Sequence, residues 1–339
     1  MKILGIYDGS GPKYFRIYLP LILFTGIEFN LASKLADENA AVDVVFLNRL
    51  ISQNSLNEVL ELKKKYGFKL ITDFDDHWIL DPSHLLFQVY KRTRASELMQ
   101  EYIKVSDAVF VTHERLYDEA VKLNKNCFIF PNAIPKAGQF LFKKQPDKDV
   151  RFFWAGGVTH RNDIVLLKSF VRNISRPGIK FVMGGYEEKN SEWKTMASDF
   201  TDSGRVKHEV LRSLKVNEYY ANYSKCDVAL IPLVENSFNI YKSNLKILEA
   251  ANIGSPVIVS RVNPYLGFPE DLVNYVDSQK TWYLQGKKLI ESHALRKEQG
   301  ERLKEYCDLN FNFNKINEER KQVLEYVIKR ENRKIQAAV

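Results

Sequence analysis

The chain has 339 residues, 45% hydrophobic and 27% charged, with 50 Lys+Arg against 42 Asp+Glu and a net charge of +8. This usage excludes a disordered or collagen-like chain, and at about 150 residues per domain the length predicts two domains. The mild positive excess fits anionic partners such as nucleotides, nucleic acid or an acidic membrane face, and equally a plain solvated basic surface.

Lys2 to Tyr7 reads as a buried strand, Asp8-Gly-Ser-Gly-Pro12 as a turn, and residues 13–24 as a helix. The apolar run from Ile17 to Ile27 is interrupted by Pro20, falls short of the roughly 20 residues that span a bilayer and follows a strand, so neither a transmembrane segment nor a signal peptide is expected. Strands follow at 42–47, 68–72, 107–112 and 127–130, with helices at 54–66 and, long and amphipathic, at 84–105. The polar, proline-bearing stretch 131–149 reads as a domain boundary. The alternation then restarts, with strands at 150–154, 180–183, 227–231 and 256–260 and helices at 163–171, 242–252, 279–290, 294–306 and 316–333. Short apolar strands alternating with helices predict an α/β protein with two parallel sheets, each covered on both faces. Ligands of open parallel sheets bind beyond the carboxyl ends of the strands, so a cleft between two such units is the expected site. Cys127, Cys226 and Cys307 are odd in number and far apart. That pattern excludes a disulfide framework and a CxxC metal site and fits a reducing cytoplasm.

The most informative stretch runs from Asp227 to Ser260. On a continuous helix Lys242, Lys246 and Glu249 fall within about 60° of one another, opposite Ile247, Leu248 and Ala251. Two lysines in the first turns suit a diphosphate, and a carboxylate two turns on suits ribose hydroxyls. The plain alternative is an exposed stripe with ordinary i,i+3 pairing. Gly9-Ser10-Gly11 and Gly156-Gly157 follow strands and permit close backbone approach to a ligand, although a tight turn explains each as well. Lys13, Arg16 and Arg161, with His160 beside Arg161, are candidate phosphate or sugar contacts, or surface cations. Asp73-Phe-Asp75-Asp76-His77 at a strand end reads as a sugar or acceptor contact, as oxygen ligands for a divalent metal, or as a helix-capping loop. His113 and Glu114 open a helix at another strand end, a weak pointer to ligand contact. His84, His208 and His293 read as ordinary surface or packing histidines, and Cys127 as core.

The segment Lys242-Ser243…Lys246…Leu248-Glu249-Ala250…Gly254-x-Pro256-Val257-Ile258-x-Ser260 resembles the donor-binding signature of GT-B glycosyltransferases, above all the retaining group that uses nucleoside-diphosphate sugars and has bacterial and phage members. Pro12-x-x-Phe15-Arg16-Ile17…Pro20, Asp73-x-Asp75-Asp76, Pro131-Asn132-Ala133-Ile134 and Trp154-Ala155-Gly156-Gly157…His160…Asp163 resemble the same group, in the expected order and over nearly the whole chain. The resemblance implies two Rossmann-like domains facing across a cleft: an acceptor domain at 1–140, a donor domain at 141–310, and a last segment, 311–339, crossing back to the first. Glu249 would hold the ribose; Lys246, with Lys242 or Arg161, the diphosphate; and Gly9 to Gly11 would approach the sugar. The commoner pattern has a glutamate eight positions before the second one, where this chain has Tyr241. The sugar contact would then come from Asn239, Ser243 or the Asp75-Asp76 loop.

The expected function is transfer of a sugar from a nucleoside-diphosphate sugar, retaining and without a cofactor or divalent metal. The leaving phosphate is stabilised by cations and a helix N-terminus. Asp75, Asp76 and His77 are the candidate bases if the reaction inverts. The acceptor expected is a saccharide, a lipid-linked glycan or modified DNA, contacted by residues 15–29 and by Lys91, Arg92 and Arg94, with peripheral membrane contact as a further expectation. A nucleotide-sugar epimerase, a metal-dependent transferase using Asp73-x-Asp75, and an inactive basic nucleic-acid-binding relative are the alternatives.

Overall fold

The computed structural model describes residues 1–50, 54–174, 176–201 and 207–336. Two six-stranded sheets are formed. The first has the order β2-β1-β3-β4-β5-β6, from β1 (Lys2–Ile6), β2 (Glu28–Ala32), β3 (Val44–Asn48), β4 (Lys69–Phe74), β5 (Ala108–Val111) and β6 (Cys127–Ile129). The second has the order β12-β11-β10-β7-β8-β9, from β7 (Val150–Ala155), β8 (Ile179–Tyr186), β9 (Lys207–Arg212), β10 (Val228–Ile231), β11 (Val257–Ser260) and β12 (Asn274–Val276). Every pairing is parallel. Parallel strands need crossovers, and the intervening helices bury both faces of each sheet, which is why the central strands read as unbroken apolar runs. Val44–Asn48 and Ala108–Val111 are buried at every position.

The chain divides into two compact units, Met1–Asn132 with Tyr241–Ser243 and Phe313–Val339, and Ala133–Ile240 with Asn244–Asn312. The boundary falls at 132/133 rather than the expected 140/141, and Tyr241–Ser243 returns to the first unit. The ring of Tyr241 stacks on His77 with centroids 4.1 Å apart. Its carbonyl lies 3.0 Å from His113 Nε2, and Asn132 Nδ2 donates to Ser243 Oγ at 2.8 Å. The helix Phe313–Gln336 packs on the first unit as well, with Asn317 Nδ2 donating to the Pro20 carbonyl at 3.0 Å and Lys321 Nζ to the Thr25 carbonyl at 2.9 Å.

Several expected elements are altered. The helix expected at 84–105 is two helices, Phe87–Thr93 and Ala95–Val105, because Arg94 takes a left-handed conformation (φ 52°) that no α-helix accommodates. The helix expected at 242–252 begins only at Leu245, since Lys242 and Ser243 group with the first unit and Asn244 stands at the helix start. The strands β2, β9 and β12, which no apolar run announces, all lie at sheet edges. Residues 14–18 form a π-helical turn inside the first helical stretch, closed by Leu19 N–H on the Tyr14 carbonyl. It turns Arg16 inward and stacks Tyr14 on Tyr18 with centroids 5.1 Å apart. Among the described residues no helix is long and apolar enough to cross a membrane.

Candidate functional site

In the first unit the strand ends carry a network of charge. Asn48 and Asp73 are cross-strand partners at the ends of β3 and β4. Arg16, expected as a phosphate or sugar contact, is placed otherwise: it is 1% exposed and Asp73 0%. Its Nε and Nη2 donate to the two oxygens of Asp73, each at 2.8 Å, and its Nη1 to the Phe130 carbonyl and Asn132 Oδ1. A guanidinium shared among four internal acceptors holds β4, β6 and the first helical stretch together; it is not offered to a ligand. Burial pushes the Asp73 carboxyl up, while Arg16 and Arg320 pull it down. The paired 2.8 Å bonds are those of an ionised carboxylate.

Asp75 and Asp76 lie just beyond β4, and Arg49, a residue sequence reasoning overlooked, holds both. Its Nε is 3.1 Å from Asp75 Oδ1 and its Nη2 2.7 Å from Asp76 Oδ2. Lys242 Nζ is 3.6 Å from the same Asp76 oxygen. His77 Nδ1 lies 3.2 Å from the Ile79 carbonyl, and burial lowers its pKa, so the ring is neutral near pH 7 with Nδ1–H donating. Among the described residues no group of three or more His, Cys, Asp and Glu side chains is placed to hold a metal ion. Gly9 and Ser10 form an open turn after β1, and Gly11 opens the first helical stretch with Ser10 at its N-terminal boundary. Gly9 has φ +85°, Ser10 N–H donates to Asp8 Oδ1 at 3.1 Å, and Lys13 pairs with Asp8 at 2.6 Å. His113 caps the helix Glu114–Leu123 rather than facing a ligand, with Nδ1 accepting from Leu116 N–H.

In the second unit the chemistry gathers at the carboxyl end of β7. Lys246 Nζ donates to the Ala155 carbonyl at 2.7 Å and sits 5.6 Å above the Trp154 ring. Gly156 follows directly, and a Cβ there would lie 3.2 Å from Lys246 Nζ and 2.8 Å from Trp154. A Cβ on Gly185 (φ +103°) would lie 2.6 Å from the Gly156 carbonyl oxygen. Only glycine at these two positions lets the ends of β7 and β8 close up beside the lysine. Gly157 is exposed, and a Cβ there would meet nothing within 4 Å beyond its chain neighbours. His160 Nδ1 is 2.8 Å from Asp163, whose other oxygen accepts from Val234 N–H and Asn239 Nδ2. Asn239 is thereby committed to the fold, whereas Arg161 pairs with Glu192 at the surface, where both side chains are exposed.

Glu249 does not share a solvent-facing stripe with the two lysines. It is 2% exposed, on the inward side of the helix Leu245–Asn252, while Lys242 precedes that helix. Tyr219 and Tyr223 both donate to its Oε2, at 2.9 and 2.7 Å, and no hydrogen bond from a described residue falls on Oε1. Sequence reasoning missed these tyrosines, although their i,i+4 spacing was a readable signal. Burial pushes the Glu249 carboxyl up to about 7, against the two tyrosine hydroxyls and Lys246, which pull it down. A carboxyl raised from 4.5 stabilises the fold below the lower value and loses that contribution as pH rises to about 7. Glu249→Gln, which stays neutral, is therefore expected to gain melting temperature relative to the parent as pH goes from 5 to about 7.5. Melts across that range check it, and a pH-independent difference would rule it out. Burial likewise pushes the Cys127, Cys226 and Cys307 thiols up to about 12, so none is a nucleophile at neutral pH.

No protein-family model matches the chain, and no curated protein matches it by sequence. Solved structures do match in fold. Sucrose-phosphate synthase from Thermosynechococcus elongatus superposes with a TM-score of 0.68 at 13% identity, covering 100% of both chains. HepE (Alr3699) of Anabaena, in complex with UDP and glucose, gives 0.66 at 15% identity over 96% of this chain and 100% of its own. An α-glucosyltransferase in complex with UDP and a 13-mer DNA containing an HMU base gives 0.65 at 11% identity over 96% of this chain and 99% of its own. The fold is the two-sheet GT-B fold of these glycosyltransferases.

Proposed function

We propose that the chain transfers a sugar from a nucleoside-diphosphate sugar to the hydroxyl of a saccharide or lipid-linked glycan, with retention and without a metal. The observation that carries this reading is the group at the end of β7: Lys246 held on the Ala155 carbonyl, two obligatory glycines beside it, and Glu249 with Oε1 turned away from its tyrosines. The diphosphate sits on Lys246 and the first turn of the helix Leu245–Asn252, where backbone N–H groups add positive potential. Glu249 Oε1 accepts from the ribose. Charge that builds on the departing phosphate is met by the ammonium, so a divalent ion is not needed. The Asp73 and Asp75 carboxylates are already neutralised by Arg16 and Arg49 and are poor candidates for metal ligands or nucleophiles. The leaving phosphate then takes the acceptor proton on the same face. HepE, of similar fold, is described with UDP and glucose, and a uridine nucleotide is the donor we favour. The buried free thiols Cys127, Cys226 and Cys307 suit a reducing cytoplasm.

Two further readings have a specific motive. Modified DNA as acceptor is motivated by the α-glucosyltransferase described with HMU-containing DNA. An inverting reaction is motivated by His77, whose Nε2 has no hydrogen-bond partner among the described residues while Asp75 and Asp76 are ion-paired.

The test is a thermal-shift series with UDP, GDP, ADP and their sugars. One family of nucleotides is expected to raise the melting temperature, since ligand at a hundredfold excess over Kd stabilises by about 2.7 kcal/mol. The same donor incubated alone is expected to hydrolyse slowly. An epimerised sugar would replace the transferase reading with the epimerase, and no shift from any nucleotide would overturn the donor site.

A further inference from the structure

We propose that residues 79–94 of the first unit form a docking surface for an anionic lipid bilayer. The proposal does not depend on the donor-site reading.

The segment opens with a loop anchored by buried Trp78 and Leu80, and Ile79 between them points outward. A tightly bonded turn follows. Asp81 Oδ1 accepts from Ser83 N–H at 2.9 Å and from Ser83 Oγ at 2.7 Å. Phe87 N–H donates to the His84 carbonyl at 2.9 Å and Leu86 N–H to His84 Nδ1 at 3.1 Å. The turn presents Leu85 and Leu86 outward and leads into the helix Phe87–Thr93, which has no buried residue. Ile79, Leu85, Leu86 and Val89 are between 39% and 53% exposed. Single exposed aliphatics are ordinary on a protein surface; four within eleven residues, on an ordered turn and an unburied helix, are not.

The charge identifies the partner. Lys91, Arg92 and Arg94 are exposed, Asp81 is the one carboxylate within residues 79–94, and Arg94 pairs loosely with Glu97 at 3.9 Å, where both side chains are mostly exposed. Aliphatic side chains beside a basic cluster match the two layers of a bilayer surface, anionic headgroups above an apolar boundary. A nucleic-acid backbone attracts the same cations but returns nothing for exposed leucines. With no described helix able to cross a membrane, the contact is surface association. It would bring the first unit to an acceptor carried at the membrane face.

The experiment is sedimentation of the full chain with phosphatidylcholine vesicles, with and without phosphatidylglycerol, alongside capture on duplex DNA. The chain is expected to sediment with the anionic vesicles only. Leu85→Ser/Leu86→Ser/Val89→Ser is expected to weaken that binding about tenfold or more. Lys91→Gln/Arg92→Gln is expected to weaken it about fivefold per cation. These side chains are exposed, so an unchanged melting temperature shows that each variant is folded. Failure to sediment with anionic vesicles overturns the proposal. So does binding that the serine variant leaves intact, or binding to DNA without binding to vesicles, which would make the patch a phosphate contact.

Discussion

Lys246→Ala is expected to lower the transfer rate about 10²–10³-fold, corresponding to about 2.7–4 kcal/mol of barrier, with the loss mainly in kcat. In the proposed reaction the lysine meets the donor before and during bond breaking, but the phosphate charge it opposes grows as the sugar departs, so its worth is greatest in the transition state. Its position is set by the fold: Nζ is tethered on the Ala155 carbonyl at the end of β7 and backed by the Trp154 ring. Preordering of this kind spares the reorganisation that a free surface lysine undergoes. Steady-state kinetics with the donor found by thermal shift measure the effect. Turnover equal to the parent would show that the diphosphate lies elsewhere.

The largest loss of stability is expected from Asp73→Ala. The carboxylate is the counter-ion of buried Arg16 and draws on Arg320 as well, whose guanidinium is pushed down to about 9 by burial and by Arg16, against Asp73, which raises it. Removing Asp73 leaves two guanidinium groups in the core of the first unit, Arg16 without its partner and Arg320 over the Phe130 ring. Breaking one side of such a pair costs about 3–5 kcal/mol, which for a unit of this size is a fall in melting temperature on the order of 10 °C. Asp75→Asn should cost far less, because its partner Arg49 is part-exposed and retains Asp76. Thermal melts of the two variants decide it, and equal melting temperatures would show that the buried pair does not hold the strand ends together.

The central strands were legible because a parallel strand covered on both faces must be apolar along its whole length, as Val44–Asn48 and Val228–Ile231 nearly are. Of the edge strands only β6 was; β2, β9 and β12 were not. Lys207–Arg212 is largely exposed or half-buried, and its residues are chosen by one neighbour and by water. The break at Arg94 was equally hidden, since the apolar spacing continues through it and only the backbone angle records the turn.

The site divides in the same way. Residue types and order along the chain determined the two α/β units and the glycines after β1 and β7, and they singled out the segment with Lys246 and Glu249 on which the proposed donor site rests. Helical spacing alone put Lys242, Lys246 and Glu249 on one exposed face, and the tertiary structure separated them. Lys242 belongs to a segment claimed by the first unit, and Glu249 turns inward to Tyr219 and Tyr223. Whether a charged side chain meets a ligand or a neighbour depends on partners brought from distant parts of the chain, as Asp73 is brought to Arg16 across 57 residues. A periodic pattern records which face of an element is apolar. It carries no record of which partner arrives at the other face, and that is why only the folded chain decided the fates of Arg16, Asp75 and Glu249.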